Sequence, residues 1–217
     1  LTGNAGTGSG NFLGTTDAAA LELRTNNARS LRIEPSVQTF GGDPITTNTI
    51  TGSSANEVLA GVRGATISGG GVPSGDSDPD FSEEQPNRVT DHYGTIGGGY
   101  SNIAGDNAGA FSDRAFATVG GGERNEASGD WSAVGGGRRN AASGSGSTVG
   151  GGSSNAASNL LATVGGGETN EASGDRSTVA GGALNVASGV SSTVGGGSSN
   201  EASRVDSTIG GGALNVA

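Results

Sequence analysis

Apolar residues recur along the second half of this chain with a period of fifteen. Val119, Val134, Val149, Val164, Val179, Val194 and Ile209 are spaced at that interval, each preceded by Thr or Ala and followed by a run of glycine broken once, at Ala180. Asn125, Asn140, Asn155, Asn170, Asn185, Asn200 and Asn215 follow six residues behind them, and Ala127, Ala142, Ala157, Ala172, Ala187, Ala202 and Ala217 eight behind. An earlier copy, Ile96 with Asn102, stands twenty-three residues before Val119. A fixed period decides architecture, so it is read first. Fifteen residues is too short for a helix-turn-helix unit of about 34 residues, and the glycines oppose helix. The period suits one coil of a β-solenoid, with two short strands and two turns stacked about 4.8 Å from the next coil.

The pattern assigns a direction to each side chain. In Ser147–Val149 the Val points inward and the Thr outward. Gly150, Gly151 and Gly152 make a corner that needs positive φ or close backbone approach. Residues 155–158 form the second strand, with Ala157 as its inward residue. Asn at a fixed coil position bonds its copies above and below, satisfying polar groups along the axis. The strict spacing of Val and Ala over seven copies argues against a flexible Gly/Ser linker.

Upstream, the period changes to two. Leu21-Glu22-Leu23-Arg24 and Leu31-Arg32-Ile33-Glu34 alternate apolar and charged residues, with Asn26-Asn27 between them. That predicts a hairpin, ended by Pro35, on whose polar face Glu22 can pair with Arg32 or Arg24 with Glu34. The chain thus divides into an N-terminal β unit (1–35), a transitional cap (36–94) and the repeat (95–217). Residues 48–51 and 65–68 read as degenerate coils of the cap. Residues 72–91 carry Asp, Glu and Pro in quick succession and predict an acidic surface loop.

Each coil offers little more than one Val and one Ala to a core. That shortage predicts further burial between chains, hence an oligomer with cyclic symmetry about the solenoid axis.

The repeated Ser-Thr-Val-Gly-Gly-Gly-x-x-Asn-x-Ala-Ser-Gly resembles the head repeats of trimeric autotransporter adhesins. It is also similar to repeats in bacteriophage-type tail-fibre and spike proteins. The resemblance covers residues 95–217, and residues 1–67 resemble a segment found upstream of such repeats in tail-fibre-like proteins. It departs from adhesin heads in carrying Val-Gly-Gly-Gly where they more often have Ala-Ile-Gly. The resemblance implies an all-β fold, a left-handed parallel β-roll of 15-residue coils assembled side by side as a homotrimer. It implies an extracellular segment, on a cell surface, a virion or a tail fibre.

Charge narrows the partners. Eleven basic residues against twenty-one acidic ones give a net charge of −10, with no basic stripe for nucleic acid. There is no Cys, hence no disulfide or thiol nucleophile, and no apolar run long enough to insert in a membrane. The chain starts without a signal peptide and stops in mid-repeat, which reads as a fragment whose anchor lies elsewhere. Asp76, Asp78 and Asp80 have the alternating carboxylates of a calcium loop, but Phe81 and Asn87 stand where an EF-hand requires Gly and Glu. Calcium is therefore a weak candidate, and no other cofactor is expected. His92, the single histidine, reads as a turn or packing residue, and a glycan-cleaving carboxylate pair would need a more aromatic body. The expected activity is not enzymatic.

Recognition falls to the variable coil positions. Three residues before the inward Val the chain runs Phe116, Trp131, Gly146, Leu161, Arg176, Ser191, Asp206. Phe116, Trp131 and Leu161 are the candidates for contact with a ligand (a cell-surface glycan or a protein receptor) or with a neighbouring subunit. Glu123 and Arg138, one coil apart, are candidates for an ion pair. The expected function is a structural or adhesive fibre segment. The alternative is a regular-surface binder of ice or glycan using Thr118, Thr148, Thr163, Thr178, Thr193 and Thr208, a single file that Ala133 interrupts.

Overall fold

The computed structural model describes residues 14–15, 19–35, 39–40, 43–44, 46–75, 78–81 and 83–217. Its first elements follow from the period-two alternation. Asn26 and Asn27 turn the chain at φ of 47° and 61°, the left-handed region that Asn tolerates better than most side chains. They join β1 (Leu21–Thr25) to β2 (Ala28–Pro35) as an antiparallel hairpin. Glu22 faces Arg32 across it at 3.8 Å, while Arg24 turns to Glu22 at 2.6 Å and Arg32 to Glu34 at 2.8 Å. A short ribbon of β3 (Thr39–Phe40) and β4 (Asp43–Pro44) leads to β5 (Thr47–Thr51). Strand β5 pairs antiparallel with β2 on one side and parallel with Thr66–Ile67 on the other. Antiparallel pairing gives way to parallel pairing at this strand.

Beyond β5 the chain is an all-β solenoid of about ten turns with parallel strands. Twelve strands form one sheet, ending in two-residue rungs from Thr66–Ile67 and Thr95–Ile96 through Thr118–Val119 to Thr208–Ile209. Nine rungs form a second sheet, from Glu57–Val58 and Arg88–Val89 to Glu201–Ala202. A third parallel ladder of single bridges runs Tyr100, Glu123, Arg138, Ser153, Glu168, Ala183, Ser198, Ala213. The rungs pair in register, Val149 on Val164 and Ala157 on Ala172.

The inward column is Ile50, Ile67, Ile96, Val119, Val134, Val149, Val164, Val179, Val194 and Ile209, facing Val58, Val89 and the repeat alanines. A third small position, two before the Val, completes the core with Ala117, Ser132, Ser147, Ala162, Ser177 and Ser192. Side chains this small suit the close approach of the two sheets. The outward Thr or Ala of each rung is half-buried or exposed.

Asparagine closes the polar accounts of the interior. Asn155 donates from Nδ2 to the Gly151 and Gly167 carbonyls, both at 2.9 Å, and to Asn140 Oδ1 at 3.1 Å. Its backbone N–H also reaches Asn140 Oδ1, at 3.0 Å. Asn125, Asn140 and Asn170 repeat this role, and the ladder extends back through Asn102 and Asn87 to Asn56. The glycine three after each Val makes the stacking possible: Gly122, Gly137 and Gly152 have φ of 96°, 89° and 87°, and a Cβ there would strike the next coil's carbonyl.

Two excursions account for the longer upstream spacings. The first leaves the coil after Ser68 and closes through the antiparallel bridge Val72–Gln85. It returns earlier than the acidic run suggests. Asn87, Thr90, Asp91 and His92 are buried, and Arg88–Val89 is a rung of the second sheet, because the ladder needs Asn87 beneath Asn102. The second excursion separates Ala104 from Ala115 and packs Phe111 against the core. No helix among the described residues is long and apolar enough to cross a membrane.

Candidate ligand-contact corner

The residue three before each inward Val occupies a tight corner. Phe116, Trp131, Leu161, Arg176, Ser191 and Asp206 all have φ between 53° and 63°. Bulky side chains pay on the order of 1–3 kcal/mol for that conformation, so the surroundings must impose it. Here the backbone does so: Phe116 N–H donates to His92 O at 3.0 Å, Trp131 N–H to Ala115 O at 3.0 Å and Leu161 N–H to Ser145 O at 2.9 Å. The corner turns its side chains outward, leaving Phe116, Trp131 and Leu161 46%, 63% and 50% exposed. Leu160, Val190 and Val205, each one residue earlier in its coil, are exposed beside them.

The aromatic residues of this corner form a ladder. Phe116 and Trp131 stack with centroids 6.3 Å apart and planes 16° from parallel. Tyr93 extends the stack, 5.0 Å from Phe116 at 5°, and the Arg63 guanidinium lies 5.7 Å above the Tyr93 ring. Tyr93 escaped the sequence reading because the interval of twenty-three hides its alignment. Counting three back from Ile96 would have found it.

Beneath the ladder sits a buried polar group of residues. His92 is 4% exposed, packs on Phe111 at 6.0 Å and accepts the Arg63 N–H at Nδ1 at 3.3 Å. Burial, with Arg63's charge second, holds its imidazole below the usual histidine value. Asp91 Oδ2 accepts from Thr90 Oγ1 at 3.1 Å and from the Asp106 N–H at 3.0 Å, and burial pushes its carboxyl up. Oxygens of Asp91, Asp106 and Asp113 lie within 4.8 Å of one another, and Arg114 offsets Asp106 at 3.3 Å. Three such carboxylates are hard-cation ligands by type. The signal available for Asp91 and Asp106 was the coil period, since they stand fifteen apart.

Of the calcium candidates, Asp78 and Asp80 are among the described residues. Asp76 lies outside the described residues, and Asp78 Oδ1 accepts the Asp80 N–H at 3.0 Å in the turn before Phe81. The ion pair of Glu123 is with Arg124, not with Arg138. Position 124 is itself a left-handed corner, at φ 52°, which puts the two neighbouring side chains within reach. Burial and the Glu123 carboxylate push the Tyr100 phenol up, and Phe81 packs edge-on against Tyr100 at 5.5 Å.

Near the hairpin a cavity of about 640 Å³ is lined by Arg29, Arg32, Arg88, Glu34, Glu57 and Glu84 among others. Its cations are engaged: Arg29 donates to the Ser53, Ser54 and Asn56 carbonyls at 3.2, 2.9 and 2.8 Å, and Arg88 meets Glu57 at 2.9 Å. Burial depresses Arg29's pKa. No family model matches this chain, and no curated protein matches it.

Proposed function

We propose that this chain is a rigid segment of an extracellular fibre, a trimeric head or stalk that presents a binding surface from a cell surface, phage tail or injection system. The observation that carries this reading is the division of labour within each coil. Inward positions are small and uniform, whereas one outward corner carries Tyr93, Phe116, Trp131, Leu161 and their apolar neighbours. A solenoid so regular inside and so variable along one edge suits presentation better than turnover. The resemblance of residues 95–217 to trimeric adhesin and tail-fibre repeats supports a left-handed roll and threefold assembly. The thin core supports association too, because a coil that buries so little apolar surface within one chain gains by burying more against a neighbour.

A lattice-matching Thr face is the poorer reading. The outward file holds one Thr per rung and is broken by Ala133.

Sedimentation equilibrium across a concentration series tests the assembly. The expected limiting mass is three times the 20.7 kDa of the chain. A folded monomer throughout the series would rule the trimer out.

A further inference from the structure

We propose that the Trp131 end of the aromatic ladder is a saccharide-binding platform. This deepens the fibre reading and rests on it for the biological setting, while its chemistry stands on the corner alone.

Along the ladder each ring lies against the next. Arg63 covers Tyr93 at 5.7 Å, Tyr93 stacks on Phe116 at 5.0 Å, and Phe116 stacks on Trp131 at 6.3 Å. The next position on the corner is Gly146, which supplies no side chain to cover the far side of the indole. Trp131 accordingly keeps 63% of its surface exposed, more than Phe116 at 46%. Leu161 leans into that rung from the coil beyond: a Cβ on Gly146 would stand 2.7 Å from Leu161 Cδ2. The corner thus holds an indole that is largely exposed, a rung with no side chain of its own, and the flexible end of Leu161 lying in that rung.

Rungs rise about 4.8 Å per coil, so a flat ring on Trp131 takes the place of the missing side chain by turning the flexible end of Leu161 aside. A pyranose fits because its C–H face is weakly positive and meets the negative face of the indole, as ring edges do in aromatic packing. Its hydroxyls need acceptors at the rim. Asp130, adjacent to Trp131 and half-buried, has no ion pair or side-chain hydrogen bond among the described residues, and Ser145 stands one coil on. A carboxylate accepting from hydroxyls makes the stronger, charge-assisted kind of bond. A protein partner needs roughly 800 Å² of matched surface per side. This ridge is one or two residues wide and is interrupted by Asp130, Ser145, Gly146, Asp175 and Arg176, which suits a small ring better.

Trp131 is the only tryptophan, so its emission reports on this site alone. The full chain, labelled at its terminal amine, is applied to a printed array of bacterial and host glycans, and each retained glycan is then titrated free in solution. The expected result is retention of a defined glycan class, a saturable change in Trp131 emission, and saturation transfer to the sugar's ring C–H protons. Trp131→Ala should weaken that affinity by about tenfold or more, and Trp131→Phe by about two- to fivefold, with unchanged circular dichroism. Retention of no glycan, or equal retention by the Trp131→Ala variant, overturns the proposal. So does blue-shifted emission protected from acrylamide in the assembled protein, which puts the corner between subunits and leaves the fibre reading standing. Glycan binding by a chain that stays monomeric would have the opposite meaning, upholding the platform and removing the trimer.

Discussion

At the scale of the residue, Asn and Ser at buried positions show how differently one interior treats two polar side chains. Asn155 spends its amide on the carbonyls of Gly151 and Gly167 and on Asn140, and its Oδ1 receives the Asn170 N–H at 3.0 Å. Asn155→Asp keeps the shape but turns a donor into a charged acceptor aimed at two carbonyl oxygens. The expected loss is about 3 kcal/mol or more in denaturant unfolding. Ser147 and Ser192 are also fully buried, yet their hydroxyls have no partner. The equivalent coils place Ala117 and Ala162 there. Ser147→Ala should therefore stabilise the chain by about 1 kcal/mol, by removing an unpaid desolvation cost. If the two substitutions shift the midpoint alike, the hydrogen-bond ladder described above has been misjudged.

At the scale of the element, the second excursion makes one place in the solenoid sensitive to pH. It brings Asp106 and Asp113 up to Asp91 and sets Phe111 against His92, with Arg63 the nearest cation. The folded value of His92 lies below the unfolded 6.5. Its contribution to stability is present above pH 6.5 and is lost as pH falls from there through the depressed value. Asp91 acts with the other sign: its folded value lies above 3.8, so its contribution is present below 3.8 and is lost as pH rises through the raised value. A His92→Gln variant, which keeps an acceptor for the Arg63 N–H, should show a flatter thermal midpoint just below pH 6.5 than the parent. An unchanged acid slope would assign that sensitivity to other groups. Phe111, Asp106 and Asp113 all belong to the excursion, so the effect belongs to the insertion rather than to the repeat.

At the scale of the whole molecule, stability is a sum over neighbouring coils. Removing residues 150–164 deletes one whole period and sets Val149 directly beneath Val179, with Asn140 beneath Asn170. The shortened chain should fold cooperatively with a rod about 4.8 Å shorter. Removing residues 150–157 puts sheet positions over corners and Asn over exposed sites, and should abolish the strand signal in circular dichroism. Equal tolerance of both deletions would contradict a register locked by buried Val and Asn.

The sequence by itself determined the regular half of this protein. A period of fifteen with Val, Asn and Ala in fixed places admits one stacking register, because slipping a coil exposes the Val and strands the Asn amide. The hairpin at residues 21–35 was equally readable, from alternation and the Asn26-Asn27 turn. What only the tertiary structure decided is what the period does not touch. Residues 48–51 and 65–68 were legible as degenerate coils, but the rungs on which Ile50 and Ile67 stand were not, since a loop of any length can leave a coil and return to the same column. Asp91, Asp106 and Asp113 meet, and Tyr93 joins Phe116 and Trp131, for the same reason. That Glu123 and Arg138 stand one coil apart was legible from the period, but not that backbone bridges join them, since those bonds are indifferent to the side chains that a reader of sequence can see. Contacts along the axis pair residues a coil apart, so they become visible in the chain only where every coil has the same length.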